Sequence, residues 1–199
     1  MWVYEKKLQF PVEITHPDAK SAAVILSQLG GADGEMGAAL RYLSQRYTMP
    51  YPKLQALLTD IATEEMAHVE LVSAILYQLT DGLTIDEIKA AGMDAYFVDH
   101  TLGIYPQSAA GVPFSASYFQ SKGDPITDLS EDMAAEQKAR TTYDNILRLV
   151  DNEEVNKVIR FLRAREIVHY QRFGEALEFL KTRLNSENYY ACNPSFDGK

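Results

Sequence analysis

Two stretches of this chain place a glutamate and a histidine three residues apart inside an otherwise apolar stripe. Leu58, Ile61, Glu65, His68, Val72 and Ile75 follow a 3-4-3-4-3 spacing, and Val155, Ile159, Leu162, Glu166, His169, Phe173, Ala176 and Leu180 continue the same rhythm. That spacing is one face of an α-helix, so each Glu-x-x-His presents an oxygen and a nitrogen to one point in a core. An unpaired carboxylate is costly in a core and needs a cation or protons beside it. Metal ligation is therefore the chemistry these pairs suggest.

A second regularity sharpens that reading. Glu35 lies 30 residues before Glu65, and Glu136 lies 30 residues before Glu166. Tyr42 follows Glu35 by seven residues, and Tyr143 follows Glu136 by seven. The chain reads as two helical hairpins, each carrying Glu, then Tyr, then Glu-x-x-His. One Glu from each of two helices plus Glu-x-x-His from each of the other two is the inward-facing set of di-iron and di-manganese carboxylate bundles. Carboxylates bridge two cations and offset their charge, while imidazole favours a transition metal over Mg²⁺ or Ca²⁺. The competing reading is a purely structural bundle with incidental buried polar pairs. Tyr42 and Tyr143 are either hydrogen-bond donors to the acids or core fillers.

The elements that must position these residues are four long helical segments. They are expected at about 17–47, opened by Thr15, Pro17 and Asp18, and at about 52–80, closed by Asp81-Gly82. Two more are expected at about 126–150, after Gly123-Asp124-Pro125, and at about 153–184, with Asp151-Asn152 as its cap. Thr84 with Glu87 forms a capping box for a short helix near 85–91. Residues 92–125 carry no convincing periodicity, and they hold Gly103, Pro106, Gly111 and Pro113 among Tyr96, Phe97, Tyr105, Phe114, Tyr118 and Phe119. So long a connection suits the crossover of a ferritin-like four-helix bundle. The expected fold is all-α, a single domain over 1–199, with hairpins at about 17–80 and 126–184 and the crossover at about 92–125. An aromatic N-terminal arm and a C-terminal tail from Asn185 are expected to dock on the bundle. Gly30, Gly31, Gly34 and Gly37 surround Glu35 within the first helix, for close packing, for substrate access, or for both.

Composition bounds the alternatives. The 199 residues carry 19 Lys plus Arg against 28 Asp plus Glu, a net charge of −9. That acidity disfavours nucleic acid as a partner. At 46% hydrophobic and 24% charged residues, the chain is neither disordered nor fibrous. Its longest apolar run, Ala22-Ala23-Val24-Ile25-Leu26, is too short to cross a membrane, and the first residues lack the apolar core of a signal peptide. The expectation is synthesis and retention in the cytoplasm. The single cysteine, Cys192, offers no internal disulfide and no CxxC site; it is expected to be an inert thiol, with an intermolecular cross-link as the alternative.

The chain resembles the manganese catalases, the non-haem dimanganese type, and most closely their short spore-coat members of the CotJC type. The resembling stretches are Gly30-Gly31-Ala32-Asp33-Gly34-Glu35, Ala62-Thr63-Glu64-Glu65-Met66-Ala67-His68, Ala110-Gly111-Val112-Pro113-Phe114, Gly123-Asp124-Pro125, Ala134-Ala135-Glu136 and Arg165-Glu166-Ile167-Val168-His169. The resemblance implies hydrogen peroxide as substrate, disproportionated to water and O₂. It implies two manganese ions, with iron as the alternative, held by Glu35, Glu65, His68, Glu136 and His169. Glu65 and Glu136 would bridge the metals, and Glu166 would be the catalytic acid and base, close to them without binding them. It also implies a homohexamer and residence in a spore coat among other coat proteins. Some family members carry a basic residue beside the glutamate at 136; here that neighbour is Ala135, with Arg140 one turn on. Two other functions remain open at this point. One is a di-iron oxidase or peroxidase of the rubrerythrin sort, and the other is a structural coat protein with little turnover.

Overall fold

The computed structural model describes residues 3–94 and 105–183. Tyr96, Phe97, Gly103 and the tail with Cys192 lie outside these residues. Seven α-helices are described: α1 (Ala19–Ile25), α2 (Ser27–Gly30), α3 (Glu35–Gln45), α4 (Pro52–Thr80), α5 (Ile85–Ala90), α6 (Pro125–Leu149) and α7 (Glu153–Lys181), with a short 3-10 helix at Ala116–Phe119. Among the described residues there is no strand, only an isolated bridge between Gln107 and Pro113. No helix among them is long and apolar enough to cross a membrane. The architecture is a ferritin-like bundle in which α3 packs on α4 and α6 on α7, with α1–α3 together serving as the first helix.

Local chemistry sets the helix ends. Pro52 and Pro125 stand in the first turns of α4 and α6, where a missing N–H costs nothing. Asp124 accepts from the Thr127 amide at 2.8 Å, and Asn152 accepts from the amides of Glu154 and Val155. The Thr84–Glu87 capping box forms as expected at the start of α5. Asp18 caps α1 through the Lys20 amide, and its own amide donates to the last turn of α4 at Leu79.

The first helix departs from expectation. It breaks after Gly30, passes through residues 31–34, and restarts at Glu35. Gly34 is extended and precedes α3, so Glu35 sits in the first turn of a new helix rather than inside a continuous one. A carboxylate there is favoured by the exposed amides of the helix start. The crossover meets the helix at this break, at Gly30. A β-carbon there would meet the backbone of Pro106 and Gln107 at 2.3 Å, so the crossover presses directly onto this turn.

The arm docks, as its composition suggested. Phe10 stacks on Phe161 with ring centroids 4.7 Å apart, and Val12 is buried. Gln78 clamps the arm at both Val12 and Ile14, while Glu154 accepts from the amide and hydroxyl of Thr15.

The core falls into two apolar halves. One holds Val72, Ile75, Tyr143, Ile159 and Leu162; the other holds Tyr42, Leu58, Ile61, Phe173 and Ala176. Each half thus takes one end of the α4 stripe and one end of the α7 stripe. The two Glu-x-x-His pairs occupy the layer between them.

Candidate metal centre

Glu65 and His68 project from α4, Glu166 and His169 from α7, Glu35 from α3 and Glu136 from α6. None of the six is more than 2% exposed. Their donor atoms fall into two groups, each lying within 4.8 Å. One group is Glu35, Glu65, His68 and Glu166; the other is Glu65, Glu136, Glu166 and His169. All six sequence-expected residues therefore converge.

Glu65 is the hinge of the arrangement. Its Oε2 lies 2.8 Å from His68 Nδ1, and its Oε1 lies 2.6 Å from His169 Nδ1. The two imidazole rings stack with centroids 5.6 Å apart, each turning Nδ1 inward. Glu35 Oε2 adds to the His68 side at 3.5 Å, and Glu136 Oε2 to the His169 side at 3.5 Å. Glu65 and Glu166 are common to both groups, whereas Glu136 joins the His169 group and Glu35 the His68 group.

The tyrosines settle on donation. Tyr42 gives its hydroxyl proton to Glu136 Oε1 at 2.5 Å, and Tyr143 gives its own to Glu35 Oε1. Each tyrosine of one hairpin thus serves the lone glutamate of the other.

Burying four carboxylates around two imidazoles sets the electrostatics of the layer. Burial, then the nearby Glu65 charge, pushes Glu35 up to about 8. Burial and the charges of Glu35, Glu136 and Glu65 raise Glu166 well above the ordinary carboxylate range. Burial opposes charge on the histidines, yet Glu65 and Glu35 overcome it at His68, raised to about 10. Glu65, Glu136 and Glu64 do the same at His169, raised to about 12. Glu65 goes the other way: burial is outweighed by His169 and His68, which hold it well below its usual value. Glu35, Glu136 and Glu166, with both histidines, are thus drawn toward their protonated forms around a charged Glu65. The oxygen and nitrogen donor set, with Glu166 Oε1 and Glu136 Oε2 lacking hydrogen-bond partners, fits a pair of transition-metal ions.

One side of the layer opens onto a cavity of about 10 Å³, on the order of the space one water needs. Glu35, Glu136 and Glu166 line it, with Gly34, Ala38, Ala135 and Ala139 keeping the wall thin. Glu65 is not in that lining. The cation at the cavity is Arg41, whose Nη2 also donates to the Tyr118 carbonyl at 2.6 Å. Arg140 instead pairs with Asp144 at 2.7 Å and with Gln137. Arg41 carried no sequence signal, because it stands outside the repeat's Glu-Tyr-Glu-His pattern. Glu64 was also missed as a site residue. It pairs with Arg165 at 2.6 Å and with His169 Nε2 at 3.0 Å. Its position beside Glu65 reads in sequence as a solvated neighbour.

Comparison with known proteins agrees with this geometry. The family model described as manganese containing catalase matches residues 1–188. Protein CotJC of Bacillus subtilis is 50% identical over 190 residues, covering 96% of this chain and 100% of that one. A probable manganese catalase of Clostridium acetobutylicum is 32% identical, over 95% of this chain and 85% of that protein. The crystal structure of KatB, a manganese catalase from Anabaena, superposes with a TM-score of 0.83 at 32% identity. That match covers 90% of this chain and 81% of the other. With the bundle, the doubled Glu-x-x-His layer and these matches in agreement, the chain belongs to the manganese-containing catalase family.

Proposed function

We propose that this chain disproportionates hydrogen peroxide to water and O₂ at a dimanganese centre. The observation that carries the proposal is the two-group convergence around Glu65, with Glu166 on the side that faces the cavity. His68 Nδ1 and Glu35 would hold one ion, His169 Nδ1 and Glu136 the other, and Glu65 would bridge them. When bound, the ion pair supplies two-electron redox chemistry. Glu166 supplies proton transfer. Burial and the neighbouring carboxylates raise its affinity for a proton, and Oε1 has no hydrogen-bond partner among the described residues to compete for it. It delivers protons to the peroxide whose O–O bond is broken and collects protons from the peroxide that leaves as O₂. Two H₂O₂ thus give two H₂O and one O₂, with electrons and protons balanced and no outside reductant. The small cavity admits a water-sized molecule, and Arg41 at its wall attracts the partial negative charge of a peroxide oxygen.

The test is metal content and O₂ release on the purified chain, with the Glu166→Gln variant beside it. Two manganese per chain with reductant-free O₂ release is expected, and Glu166→Gln should keep both ions while O₂ release falls about 10²-fold or more. Loss of an ion in that variant would make Glu166 a ligand. Iron with reductant-dependent turnover would move the chain to the rubrerythrin-like reading, since the same donors accept either metal. A relative at 50% identity carries the name CotJC rather than catalase. Metal-replete protein without turnover would accordingly support the structural coat reading. The proposal extends to a homohexamer within a spore coat. Exposed Tyr47, Tyr77 and Leu149 on the bundle supply apolar contact surface for assembly. A monomer mass in light scattering would contradict it.

A further inference from the structure

The internal repeat maps each half of the site onto the other, and at one pair of positions it breaks that symmetry. Glu64 precedes Glu65, and its equivalent Arg165, 101 residues later, precedes Glu166. The two equivalents pair with each other across α4 and α7, Arg165 Nε to Glu64 Oε1 at 2.6 Å and Nη2 to Oε2 at 3.2 Å. Gln9 of the arm donates to the same Oε1 at 2.8 Å. Pinned in this way, Glu64 turns Oε2 to His169 Nε2 at 3.0 Å.

His68 has no such support. Its Nδ1 faces the site as that of His169 does, but its Nε2 lies 3.8 Å from Glu64 Oε1. That nitrogen is buried and has no hydrogen-bond partner among the described residues. Repeat symmetry would put residue 165 behind it, and an arginine there has no lone pair to offer. We propose that Glu64 is a positioning residue that supports His169 and not His68, making the His169 half of the centre the tighter of two unequal cation positions. The inference rests on the dimetal reading above. An imidazole that gives Nδ1 to a cation carries its proton on Nε2. At His169 that proton has a carboxylate to receive it, which fixes the tautomer, orients the ring and strengthens the donor. At His68 the proton is left without an acceptor, and packing alone holds that edge of the ring.

The test is a titration of metal-free full-length protein with Mn²⁺ against a competing chelator, free Mn²⁺ being read by its electron paramagnetic resonance signal. Wild type should bind two ions with unequal affinities. Glu64→Gln should weaken the tighter ion by about 10–100-fold, bringing it toward the other. Arg165→Gln breaks the same inter-helix ion pair but leaves the carboxylate and its Gln9 contact in place, so it should weaken the tighter ion clearly less than Glu64→Gln does. Two equal wild-type affinities would overturn the proposal without recourse to any variant. So would equal weakening of both ions in Glu64→Gln, or the same loss in Arg165→Gln, which would make Glu64 only a clamp between helices. A wild-type chain that binds no Mn²⁺ would instead overturn the dimetal reading itself.

Discussion

Each lone glutamate of the centre has one oxygen turned to an imidazole and the other to a tyrosine. Glu136 receives the Tyr42 hydroxyl at 2.5 Å and Glu35 receives that of Tyr143, all four groups lying in the core. The hydroxyl therefore does two things: it satisfies a buried acceptor and it aims the remaining oxygen at the site. Tyr42→Phe keeps the ring against Phe173, 4.8 Å away between centroids, and removes only the donor. It should lower the stability of the metal-free chain by about 1–3 kcal/mol, the cost of leaving a buried polar group unsatisfied. Mn²⁺ should still bind, because the Tyr42 hydroxyl is spent on Glu136 Oε1 and leaves Oε2 facing His169. Urea unfolding of metal-free variant and wild type measures the first, and metal analysis the second. Unchanged stability would reduce Tyr42 to a core filler. The tyrosines were visible in the sequence only as a repeated spacing. Whether a hydroxyl in a core donates or merely sits there depends on which helix lies opposite, and that partner is 94 residues away for Tyr42.

At the scale of elements, helix periodicity and caps were legible because both are local. Pro52, Asp124-Pro125 and Asn152 fix their helix starts through groups within three residues. The converging cluster of acids and histidines was legible because a polar pair in an apolar stripe is a local anomaly repeated twice. The break before Glu35 was not, since its cause is the crossover backbone far along the chain. Gly30 is the residue that lets Pro106 and Gln107 approach, whereas Gly37, inside α3, has nothing nearer than 3.9 Å to where a β-carbon would lie. The two glycines should therefore respond oppositely to alanine. Gly30→Ala forces backbone apart and should cost about 1–3 kcal/mol. Gly37→Ala removes a flexible helix-interior residue without a clash and should stabilise by up to about 1 kcal/mol. Thermal unfolding of the two variants decides it; destabilisation of both by similar amounts would mean that α3 needs Gly37 for something other than room. Glu64 and Arg41 escaped sequence reading for the same reason as the break. Their roles are set by what α7 and the crossover bring to them, Arg165, His169 and the Tyr118 carbonyl, not by their own neighbours in sequence.

Across the whole molecule, the metal layer separates two apolar halves, so its charge state bears on the stability of the entire bundle. Without cations, protons balance the four acids. Burial resists charge on the histidines, but the surrounding carboxylates raise His68 to about 10 and His169 to about 12. A base raised in the folded state contributes stability that is fully present below its unfolded value, about 6.5, and is lost as pH rises through the folded value. The metal-free bundle should accordingly weaken from neutral toward alkaline pH. Metal binding has the opposite dependence, because imidazole and carboxylate must shed protons before they can ligate, so affinity for Mn²⁺ rises with pH. Binding to the folded chain alone adds stability as RT ln(1 + [L]/Kd), about 2.7 kcal/mol when free metal is 100 times Kd. Both trends widen the same gap. The rise in Tm produced by excess Mn²⁺ over chelator-treated protein should be small at about pH 6 and grow steadily to about pH 9, the window between the unfolded and folded histidine values. Parallel melting curves across that range measure it. A gain that stays flat would mean that the protons gathered in the layer are not the ones the metal displaces, and that the cations bind somewhere other than between Glu65 and its two histidines.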